Sequence, residues 1–472
     1  MKKLILFTLS LLLLISCSTV PLEISENDDN LRMIGGKEAL LDDIVYPADA
    51  LQMGVEDVVN VLAYIDTSGT VIDCKIIEGN DLLNDAAVSA MMKQRFHPYI
   101  LDGQKRPIRV AIPIIFSILK DIDIRDYESE KIMNTAESYL NEPVVTLNEF
   151  VSSRSPGSPN DYYSEGITWW PNPEDPNAPY IIIEDNVNPD AFRKHAELLN
   201  RTGKLISGLT AAYLVSGNSK YASRAVEHVK SWFIDTGSGM NPNVKFAQAI
   251  HGRTEGRGVG INEALPLLEI IRSHKYIHSH LSEKENQAFD TWLLSYRDFL
   301  KNDEKYDNLL SRKDIYSLSY FVQLAAIAVH LENMEDVDDL RRVFRDNIQS
   351  FTENEPSAFW DYQVNRGEKY NIFLAADLMA IAAQLLSNDQ YNAWESEEFS
   401  TRRAGDIINY LYSGILNEVL DPAGSYHGRY ISLLLAGKAY ENVRYLDMWH
   451  DLNSVKMEQD GYPIREPVLW TK

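Results

Sequence analysis

From Pro189 to the C-terminus, apolar residues recur at the spacing of amphipathic helices, and short polar segments separate one run from the next. Asn188 precedes Pro189 as an N-cap residue precedes a first-turn proline. The pattern predicts helices over Asp190–Ser216, Ser219–Ile234, Glu263–Tyr276, Glu283–Lys301, Asp314–Leu331, Val337–Gln349, Lys369–Leu386, Ala404–Leu416 and Ser425–Val443. Helices joined in series by short loops pack as pairs, so the sequence predicts an all-α bundle, solenoid or toroid. The sequence contains no short repeat that would favour a solenoid.

A different pattern precedes the helices. Val58–Ile65 and Thr70–Ile77 alternate apolar and polar residues on either side of the turn Asp66–Gly69, which predicts a β-hairpin. Leu82–Gln94 has helical spacing, and Arg109–Ile118 is typical of a final strand. The expected fold class is therefore multidomain, with a small α+β domain at 32–120 before the helical part.

The charge balance excludes one class of partner. The 472 residues include 45 Lys and Arg against 69 Asp and Glu, which gives a formal net charge of −24. A nucleic-acid surface needs a basic face, so no nucleic-acid partner is expected. An anionic polymer could bind only where basic side chains cluster locally against the overall field.

The first residues are typical of an export signal. Lys2 and Lys3 precede an apolar run, Leu4–Ile15, that is too short to count as a membrane span. The run ends in Leu14-Ile15-Ser16-Cys17, which resembles a bacterial lipobox. The resemblance implies that residues 1–17 are a lipoprotein signal peptide, that the thiol of Cys17 is acylated and that 18–31 form a tether. A serine, not an aspartate, follows Cys17, so the expected location is the outer membrane, on its periplasmic side or at the cell surface. The alternative is an ordinary secretory signal with a chance cysteine.

An aromatic loop precedes the first long helix. The segment Asp161–Pro173 contains Tyr162, Tyr163, Trp169 and Trp170 among polar residues and prolines. Aromatic faces stack on sugar rings, so these four side chains are candidates for substrate binding. The alternative is that they pin the loop to the helical core. That alternative weighs equally for the tryptophans and less for the tyrosines.

Residues of the α+β domain resemble the TonB C-terminal domain in their order and spacing. The matching elements are Tyr46-Pro47, Gly54, the hairpin with Asp66 and Gly69, Asn84–Ala90, Arg95–Pro98, Gly103 and Pro107–Phe116. In that family an edge strand pairs with a short peptide of an outer-membrane receptor, so the resemblance implies a TonB-dependent receptor peptide as a partner. The usual inner-membrane helix and Pro-rich spacer are missing from this sequence. A binding or docking module is therefore expected instead of energy transduction.

The aromatic loop opens a second resemblance, to the alginate lyase family of polysaccharide lyases. It continues in Tyr213–Ala225, Met240–Asn243, Ala247-Gln248, His251–Arg253 and Gly256–Ile261. The resemblance implies an (α/α) toroid at 161–472, after a connector at 121–160, with a cleft for a uronate-containing polysaccharide such as alginate. It also implies cleavage by β-elimination, with no metal and no other cofactor.

That reaction needs one group that neutralises the uronate carboxylate, a base that removes the C5 proton and an acid that protonates the O4 leaving group. Gln248, Arg253 and Arg257 are candidates for binding the substrate. Tyr370 and Arg366 match the Arg-rich stretch and tyrosine of the family, and the resemblance implies catalytic roles for both. Arg366 lies nearer to Tyr370 than the family pattern expects, which leaves its role open.

The Asn-Asn-His-Gly element of the family is missing. Asp314, Ile315, Tyr316 and Ser317 stand in register with it, so both amides and the imidazole are lost. An aspartate at the first position would repel a substrate carboxylate instead of neutralising it. Tyr316 and His251 are the candidates to replace the lost imidazole as proton-transfer groups.

Structural roles are the alternatives for several of these side chains. Arg257, between two glycines, could brace its loop, and His251 could do the same. Glu255 and Glu263 could form ion pairs with Arg253 and Arg257 and so use up the basic charge.

Three histidines, His274, His278 and His280, cluster at the end of a predicted helix. No carboxylate stands at a matching spacing to complete a metal site. We expect a solvated C-terminal turn there, where the helix dipole favours a protonated imidazole, and no metal.

Three functions remain open on the sequence. The first is a polysaccharide lyase in which Tyr370 and either Tyr316 or His251 transfer protons. The second is a catalytically inactive relative that binds glycans as an outer-membrane lipoprotein, which the missing Asn-Asn-His-Gly element favours. The third is an interaction protein whose TonB-like domain is the functional end. The aromatic loop and the Gly-Arg-Gly segment around Arg257 favour the first two over the third.

Overall fold

The computed structural model describes residues 22–25, 31–34, 39–40, 43–53, 55–116, 123–175, 177–183, 186–312, 314–348, 369–394, 408, 429–452 and 465–471. The chain divides into two compact units, Met1–Leu119 and Lys120–Lys472. Cys17 and Arg366 lie outside the described residues, as does the predicted helix Ala404–Leu416 apart from one position. No helix among the described residues is long and apolar enough to cross a membrane.

The first unit is a four-stranded sheet with one long helix against it. Its elements are β1 (Leu22–Ser25), α1 (Ala48–Gln52), β2 (Asp57–Ile65), β3 (Val71–Glu78), α2 (Asp81–Lys93), β4 (Ile100–Leu101), β5 (Gln104–Lys105) and β6 (Ile108–Phe116). The strand order is β1-β6-β2-β3, in which β2 runs antiparallel to both neighbours and β1 runs parallel to β6. The predicted hairpin, helix and final strand are confirmed and differ only at their ends.

Strand alternation builds the core of this unit. Every second residue of β6, from Ile108 to Phe116, is buried, and β2 follows the same alternation from Val59 to Ile65. The inward faces of both strands pack with α2 in one apolar cluster. Gly69 (φ +86°) closes the hairpin turn, and a Cβ there would lie 1.9 Å from the carbonyl oxygen of Phe96. Only glycine fits that position.

The second unit is mainly helical. Its helices are α3 (Ile124–Tyr139), α4 (Lys194–Ser216), α5 (Ser219–Val229), α6 (Leu267–Ile277), α7 (Glu283–Asn302), α8 (Ile315–His330), α9 (Met334–Val343), α10 (Lys369–Leu386), α11 (Ile431–Ala439), α12 (Val443–Asp451) and α13 (Pro467–Trp470). Long helices pack on one another along the chain: α3 on α4, α4 on α5 and α6, α6 on α8, and α8 on α10. The terminal helix α13 contacts α3, α4 and α6. The first and last described helices of the unit therefore touch, as a closed ring of helices requires.

Several predicted helices differ from the observed ones: the one predicted from Glu263 begins at Leu267, the one predicted from Val337 begins at Met334 and ends in a π-helical turn, Phe344–Ile348, and the one predicted to reach Val443 ends at Ala439. Two others differ for local reasons. The helix predicted from Asp190 begins at Lys194, because Asn188 Oδ1 accepts a hydrogen bond from the N–H of Asp190 (3.0 Å) and holds a turn there. The helix predicted from Ser219 is α5 followed by a π-helical turn, Lys230–Ile234.

Short strands lie in the loops that connect these helices. They are β7 (Tyr163–Glu165), β8 (Trp169–Trp170), β9 (Ile181–Ile182) and β10 (Phe246–Ala249). β7 pairs with β10 in parallel, and β8 pairs with β9 antiparallel. A 3-10 segment, Gly258–Ala264, contacts both β10 and α8. The β7–β10 pair therefore brings the aromatic loop beside the segment that contains Gln248 and Arg257.

Candidate functional site

A buried carboxylate, Glu263, organises the loops around β7 and β10. Its side chain is 8% exposed and forms an ion pair with Arg193. Oε1 of Glu263, the oxygen of this ion pair, also accepts a hydrogen bond from Nε2 of Gln248 (2.6 Å). The other oxygen accepts from the hydroxyls of Tyr162 (3.0 Å) and Ser164. Because donors from separate segments end on one carboxylate, Glu263 fixes the relative positions of those segments.

Gln248 links this carboxylate to the guanidinium of Arg257. Its Nε2 donates to Glu263, so its Oε1 faces the other way and accepts from Nη2 of Arg257 at 2.7 Å. The main-chain oxygen of Gln248 accepts from Nε of Arg257 at 2.8 Å. Gln248 also has a φ of +58°. This left-handed conformation costs a residue with a side chain about 1 to 2 kcal/mol, so the surrounding bonds must hold it.

Arg257 is a half-buried cation among neutral acceptors. Burial lowers the pKa of its guanidinium, and the nearby Tyr316 and Glu263 partly oppose this effect. Within the described part of the chain, no carboxylate lies at ion-pair distance from Arg257, and the nearby Glu263 is paired with Arg193. The charge of Arg257 is therefore available to an anion that enters from outside.

Trp169 and Gly166 lie beside this guanidinium. A Cβ added to Gly166 would lie 2.8 Å from Nη2 of Arg257 and 2.8 Å from Cδ1 of Trp169, so the close approach requires glycine. The guanidinium of Arg253 lies 5.2 Å from the centre of the Trp169 ring. Nε of Arg253 donates to the carbonyl oxygen of Tyr180 at 2.6 Å. Two guanidinium groups thus lie close to one indole of the β8–β9 hairpin.

His251 lies in the turn that follows β10. It is exposed, and its ring centre lies 5.1 Å from that of Tyr180. Its carbonyl oxygen accepts from the main-chain N–H of Tyr180 at 3.0 Å. Since the same Tyr180 accepts from Arg253, the imidazole belongs to the solvent edge of this cluster.

The positions of the missing Asn-Asn-His-Gly element form the start of α8. Asp314 is the N-cap and accepts from the main-chain N–H groups of Tyr316 (3.1 Å) and Ser317 (3.0 Å). Arg312 pairs with its other oxygen at 2.6 Å. The negative charge of Asp314 is therefore neutralised locally. The guanidinium of Arg312 lies 5.4 Å from the Tyr316 ring centre, and Tyr316 also affects the pKa of Arg257.

Tyr162 and Tyr163 are not surface residues, which corrects their prediction as exposed sugar-binding side chains. They are 0% and 2% exposed. Their hydroxyls donate to two buried carboxylates. Burial raises the pKa of both phenols. The tyrosines therefore pin the loop to the core, whereas Trp169 and Trp170 stay partly exposed.

A second buried carboxylate, Glu165, fixes strand β7. Arg154 donates to both of its oxygens, one of them at 2.6 Å. The main-chain N–H of Phe192 (2.8 Å) and the hydroxyl of Tyr163 (2.7 Å) donate as well. Burial alone would raise the pKa of Glu165, but these donors hold it below its usual range. The aromatic loop is therefore anchored at both Glu165 and Glu263.

Two predicted catalytic residues, Tyr370 and Arg366, lie partly or wholly outside the described part of the chain. Tyr370 stands in the first turn of α10, but its side chain is outside the described part of the chain. Arg366 is outside it altogether. Their convergence with Tyr316 and His251 stays a prediction.

The predicted ion pairs of Arg253 and Arg257 with Glu255 and Glu263 are absent from the described residues. Glu263 pairs with Arg193 instead. Both loop arginines donate to carbonyl oxygens, and one of them also to an amide. Carboxylates of the described residues therefore do not use up this basic charge.

The three histidines of the predicted turn differ in their surroundings. His274 is 4% exposed and stacks on Phe289 with ring centres 4.4 Å apart, and burial lowers its pKa to about 3. His280 packs edge-on against Tyr213. The prediction of a solvated turn is therefore wrong for His274. Among the residues that the structure describes, no group of His, Cys, Asp and Glu is placed to hold a metal ion.

The sequence pattern missed three charged residues that support the site: Arg154, Glu165 and Arg193. The ion-pair partner of each is far away in sequence, so the pairing is visible only in three dimensions. One signal was present: Glu165 stands between Tyr163 and Gly166 in a loop expected to contact the core. A carboxylate at a buried position needs a partner.

Two family models match the chain. The model described as alginate lyase matches residues 147–420. The model described as the Gram-negative bacterial TonB protein C-terminal region matches residues 42–118. No curated protein matches the chain.

A solved structure agrees with the helical fold. An alginate lyase from Bacteroides ovatus is 18% identical, with a TM-score of 0.60, and the match covers 73% of this chain and 96% of that one. At this identity the likeness shows the fold alone, and it confirms the predicted (α/α) toroid. Alginate lyase A1-III from Sphingomonas species A1 is 10% identical over 66% of this chain and 86% of that one, and its TM-score of 0.38 is too low to support an argument. Because the alginate lyase model spans more than half of the sequence, the chain belongs to the alginate lyase family.

Proposed function

We propose that the helical unit cleaves a uronate-containing polysaccharide such as alginate by β-elimination. The observation that carries this proposal is the half-buried guanidinium of Arg257, which Gln248 holds beside Trp169. A partly desolvated cation binds a carboxylate more strongly than a cation in bulk water does. The family match and the fold support the same class of reaction.

Arg257 has the first role in this reaction. It binds the C6 carboxylate of the uronate, so that charge developing on that group is stabilised and the C5 proton becomes acidic. A base takes the C5 proton, its bonding electrons form the C4–C5 double bond, and the C4–O4 bond breaks as an acid protonates O4. Tyr316, Tyr370 and His251 are the proposed proton-transfer groups, and Arg366 is a proposed second carboxylate ligand.

The local charge suits an anionic substrate in spite of the net charge of −24. Glu263 and Asp314 are each neutralised by an arginine outside the loop that contains Arg253 and Arg257, and within that loop the exposed Glu255 is one carboxylate against the two guanidinium groups. The field of the cluster is therefore positive where those two guanidinium groups lie. Trp169, with Trp170 next to it, offers a partly exposed aromatic face for sugar rings.

An absorbance assay tests the proposal. Elimination creates a conjugated 4,5-unsaturated uronate, which absorbs near ~230 nm, so the full chain should raise the absorbance of alginate, glucuronan or a glycosaminoglycan. Arg257→Lys should lower the rate about 100-fold, since a lysine cannot reproduce the forked donation. Arg342→Lys, at an exposed ion pair, is the matched control and should keep the parent rate. If no polymer gives a rise, the lyase proposal fails.

Glycan binding without catalysis is the second candidate, and Asp314 favours it. The family places an amide at this position, whereas Asp314 caps α8 and pairs with Arg312. A polymer that binds, as seen by retarded migration in a glycan-containing gel, but gives no absorbance rise would select this function. An absorbance rise would exclude it.

We also propose that the first unit is a docking module for an extended peptide of a TonB-dependent receptor. Its strand β3 has no neighbour on one side within the described sheet, and Ile72 and Ile77 on that strand are 59% and 57% exposed. A lipid at Cys17 would hold the chain at the outer membrane. That anchor rests on the lipobox alone, and metabolic labelling with a fatty acid, absent in Cys17→Ser, is its test.

A further inference from the structure

We infer that Gln248 is a positioning residue. Its amide separates the charge of Glu263 from Arg257, and it holds that guanidinium oriented and unneutralised for the substrate carboxylate. The inference rests on the proposed function, because it assigns how the same site obtains its free positive charge.

The chemistry of the two neighbours leaves few side chains able to do this. Glu263 can only accept hydrogen bonds here, and Arg257 can only donate them. Gln248 meets both demands at once, with Nε2 at 2.6 Å from Glu263 and Oε1 at 2.7 Å from Nη2 of Arg257. A carboxylate at this position would repel Glu263 and neutralise Arg257. An apolar side chain would bond neither.

The bonds form a chain in which an arginine, a carboxylate, an uncharged amide and a second arginine follow one another. Arg193 neutralises Glu263, Glu263 binds the uncharged Gln248, and Gln248 binds Arg257. The surplus positive charge therefore lies on the last member of the chain. Arg257 therefore supplies a cation to a site that lacks the amide expected at the first position of the Asn-Asn-His-Gly element, where Asp314 stands.

The backbone of Gln248 supports the same assignment. Its φ of +58° lies in the left-handed region, although the residue has a side chain. Its N–H donates to Oγ of Ser164 at 2.8 Å, and its carbonyl oxygen accepts from Arg257 at 2.8 Å. The main chain and the side chain of Gln248 therefore both accept hydrogen bonds from the guanidinium of Arg257. The guanidinium is held at two nitrogens, which fixes the direction of its remaining donors.

The test is Gln248→Glu, which has the same shape and can carry a charge. As a carboxylate, the new side chain would pair with Arg257. As a carboxylic acid, it would donate to Glu263 and accept from Arg257 as the glutamine does. The neighbouring Glu263 favours the protonated form of the new carboxyl, whereas Arg257 favours its ionised form. Binding of a saturated alginate trisaccharide should therefore be at least ~10-fold weaker than that of the parent at about pH 9, where the carboxyl is ionised, and recover towards the parent as the pH is lowered to about 4 and the carboxyl takes up its proton.

Two comparisons separate positioning from a general structural effect. A carboxyl-reduced, neutral trisaccharide should bind Gln248→Glu as it binds the parent, because only charge recognition is lost. Gln390→Glu adds the same charge at an exposed turn and should leave binding of both sugars unchanged. If Gln248→Glu does not fold, Gln248→Met replaces it and should weaken binding of the charged sugar alone, with no recovery at low pH.

Each other result contradicts the inference. Parent-like binding of the charged trisaccharide by the variant across this pH range would show that Gln248 does not govern the charge of Arg257. Equal losses for the charged and the neutral sugar would assign Gln248 to structure or to direct sugar contact. A parent that binds neither sugar would overturn the proposed function itself, whereas binding by the parent with an unaffected variant overturns only the role of Gln248.

Discussion

At the scale of single residues, the buried carboxylates near the candidate site are neutralised by arginines. Glu263 and Glu165 are buried carboxylates, and each has an arginine and several neutral donors. The paired carboxylates add no net repulsion to the loops they hold together. An acidic chain can therefore contain a loop in which two arginines, Arg253 and Arg257, outnumber the one carboxylate, Glu255.

Glu263→Gln should destabilise the helical unit. The substitution preserves the shape of the side chain but leaves Arg193 without its counter-ion. It also places the NH2 group of the new amide among groups that are themselves hydrogen-bond donors, such as Nε2 of Gln248. Arg193 is about one-third exposed, so water relieves part of the penalty, and we expect a loss of about 2 kcal/mol in the free energy of unfolding.

Urea denaturation measures this loss. Glu227→Gln is the matched control, because Glu227 is mostly exposed and its pairing with Arg224 should contribute less than ~1 kcal/mol. Equal effects of the two substitutions would show that Glu263 does not organise the loops.

The sequence predicted individual site residues unevenly. Gln248, Arg253 and Arg257 stand in family-like segments, and the structure brings them together around Trp169. The buried role of Tyr162 could not be predicted, because composition does not tell which aromatic of a loop faces inwards. Ion pairs such as Arg193–Glu263 depend on the fold of segments far apart in sequence.

At the scale of elements, long helices could be predicted from their repeating apolar pattern, whereas very short strands could not. The helix predicted over Lys369–Leu386 has the observed ends, and that over Glu283–Lys301 is one residue short. Strands such as β8 and β9 have two residues each, too few to show an alternating pattern. Yet these short strands position Trp169, so the elements closest to the site were the least visible in the sequence.

The edge strand β3 should bind an extended peptide through its exposed side. Its pairing with β2 shifts register twice, and the residues passed over by the shifts are Ile72 and Ile77. Both are more than half exposed. Lysine at either position should weaken binding of a receptor-plug peptide about 10-fold, because charged edge strands resist pairing.

Fluorescence anisotropy of a labelled plug peptide measures this effect. Ile100→Lys, at a residue 52% exposed in the same unit, is the control and should bind as the parent does. A parent chain without measurable affinity for any plug peptide would remove the docking proposal.

At the scale of the whole molecule, the helical unit is closed by its own C-terminus. Trp470 is fully buried and donates from Nε1 to Glu269 of α6 at 2.6 Å. Arg272 of α6 donates to the carbonyl oxygen of Leu469 at 2.6 Å. The last described residues thus join the ring at α6 as well as at α3 and α4.

Trp470→Ala should destabilise the helical unit by about 4 kcal/mol, since it leaves a large cavity and an unpaired acceptor on Glu269. Thermal unfolding followed by circular dichroism measures the loss. Trp170→Ala, at a partly exposed position, should lower stability by less than ~1 kcal/mol. A small effect at Trp470 would mean that the ring does not depend on its last helix.

Closure also sets a time for folding during synthesis. The ion pair between Glu128 of α3 and Arg429 spans 301 residues of chain. At about 5 to 20 residues per second, a ribosome needs about 15 to 60 s to produce that length. α3 can pack on α4 soon after both are made, but its contacts with Arg429 and α13 form only after at least that time. A chain that stops before Pro467 would lack the contacts of α13 with α3, α4 and α6, and its ring would stay open however long it is given to fold.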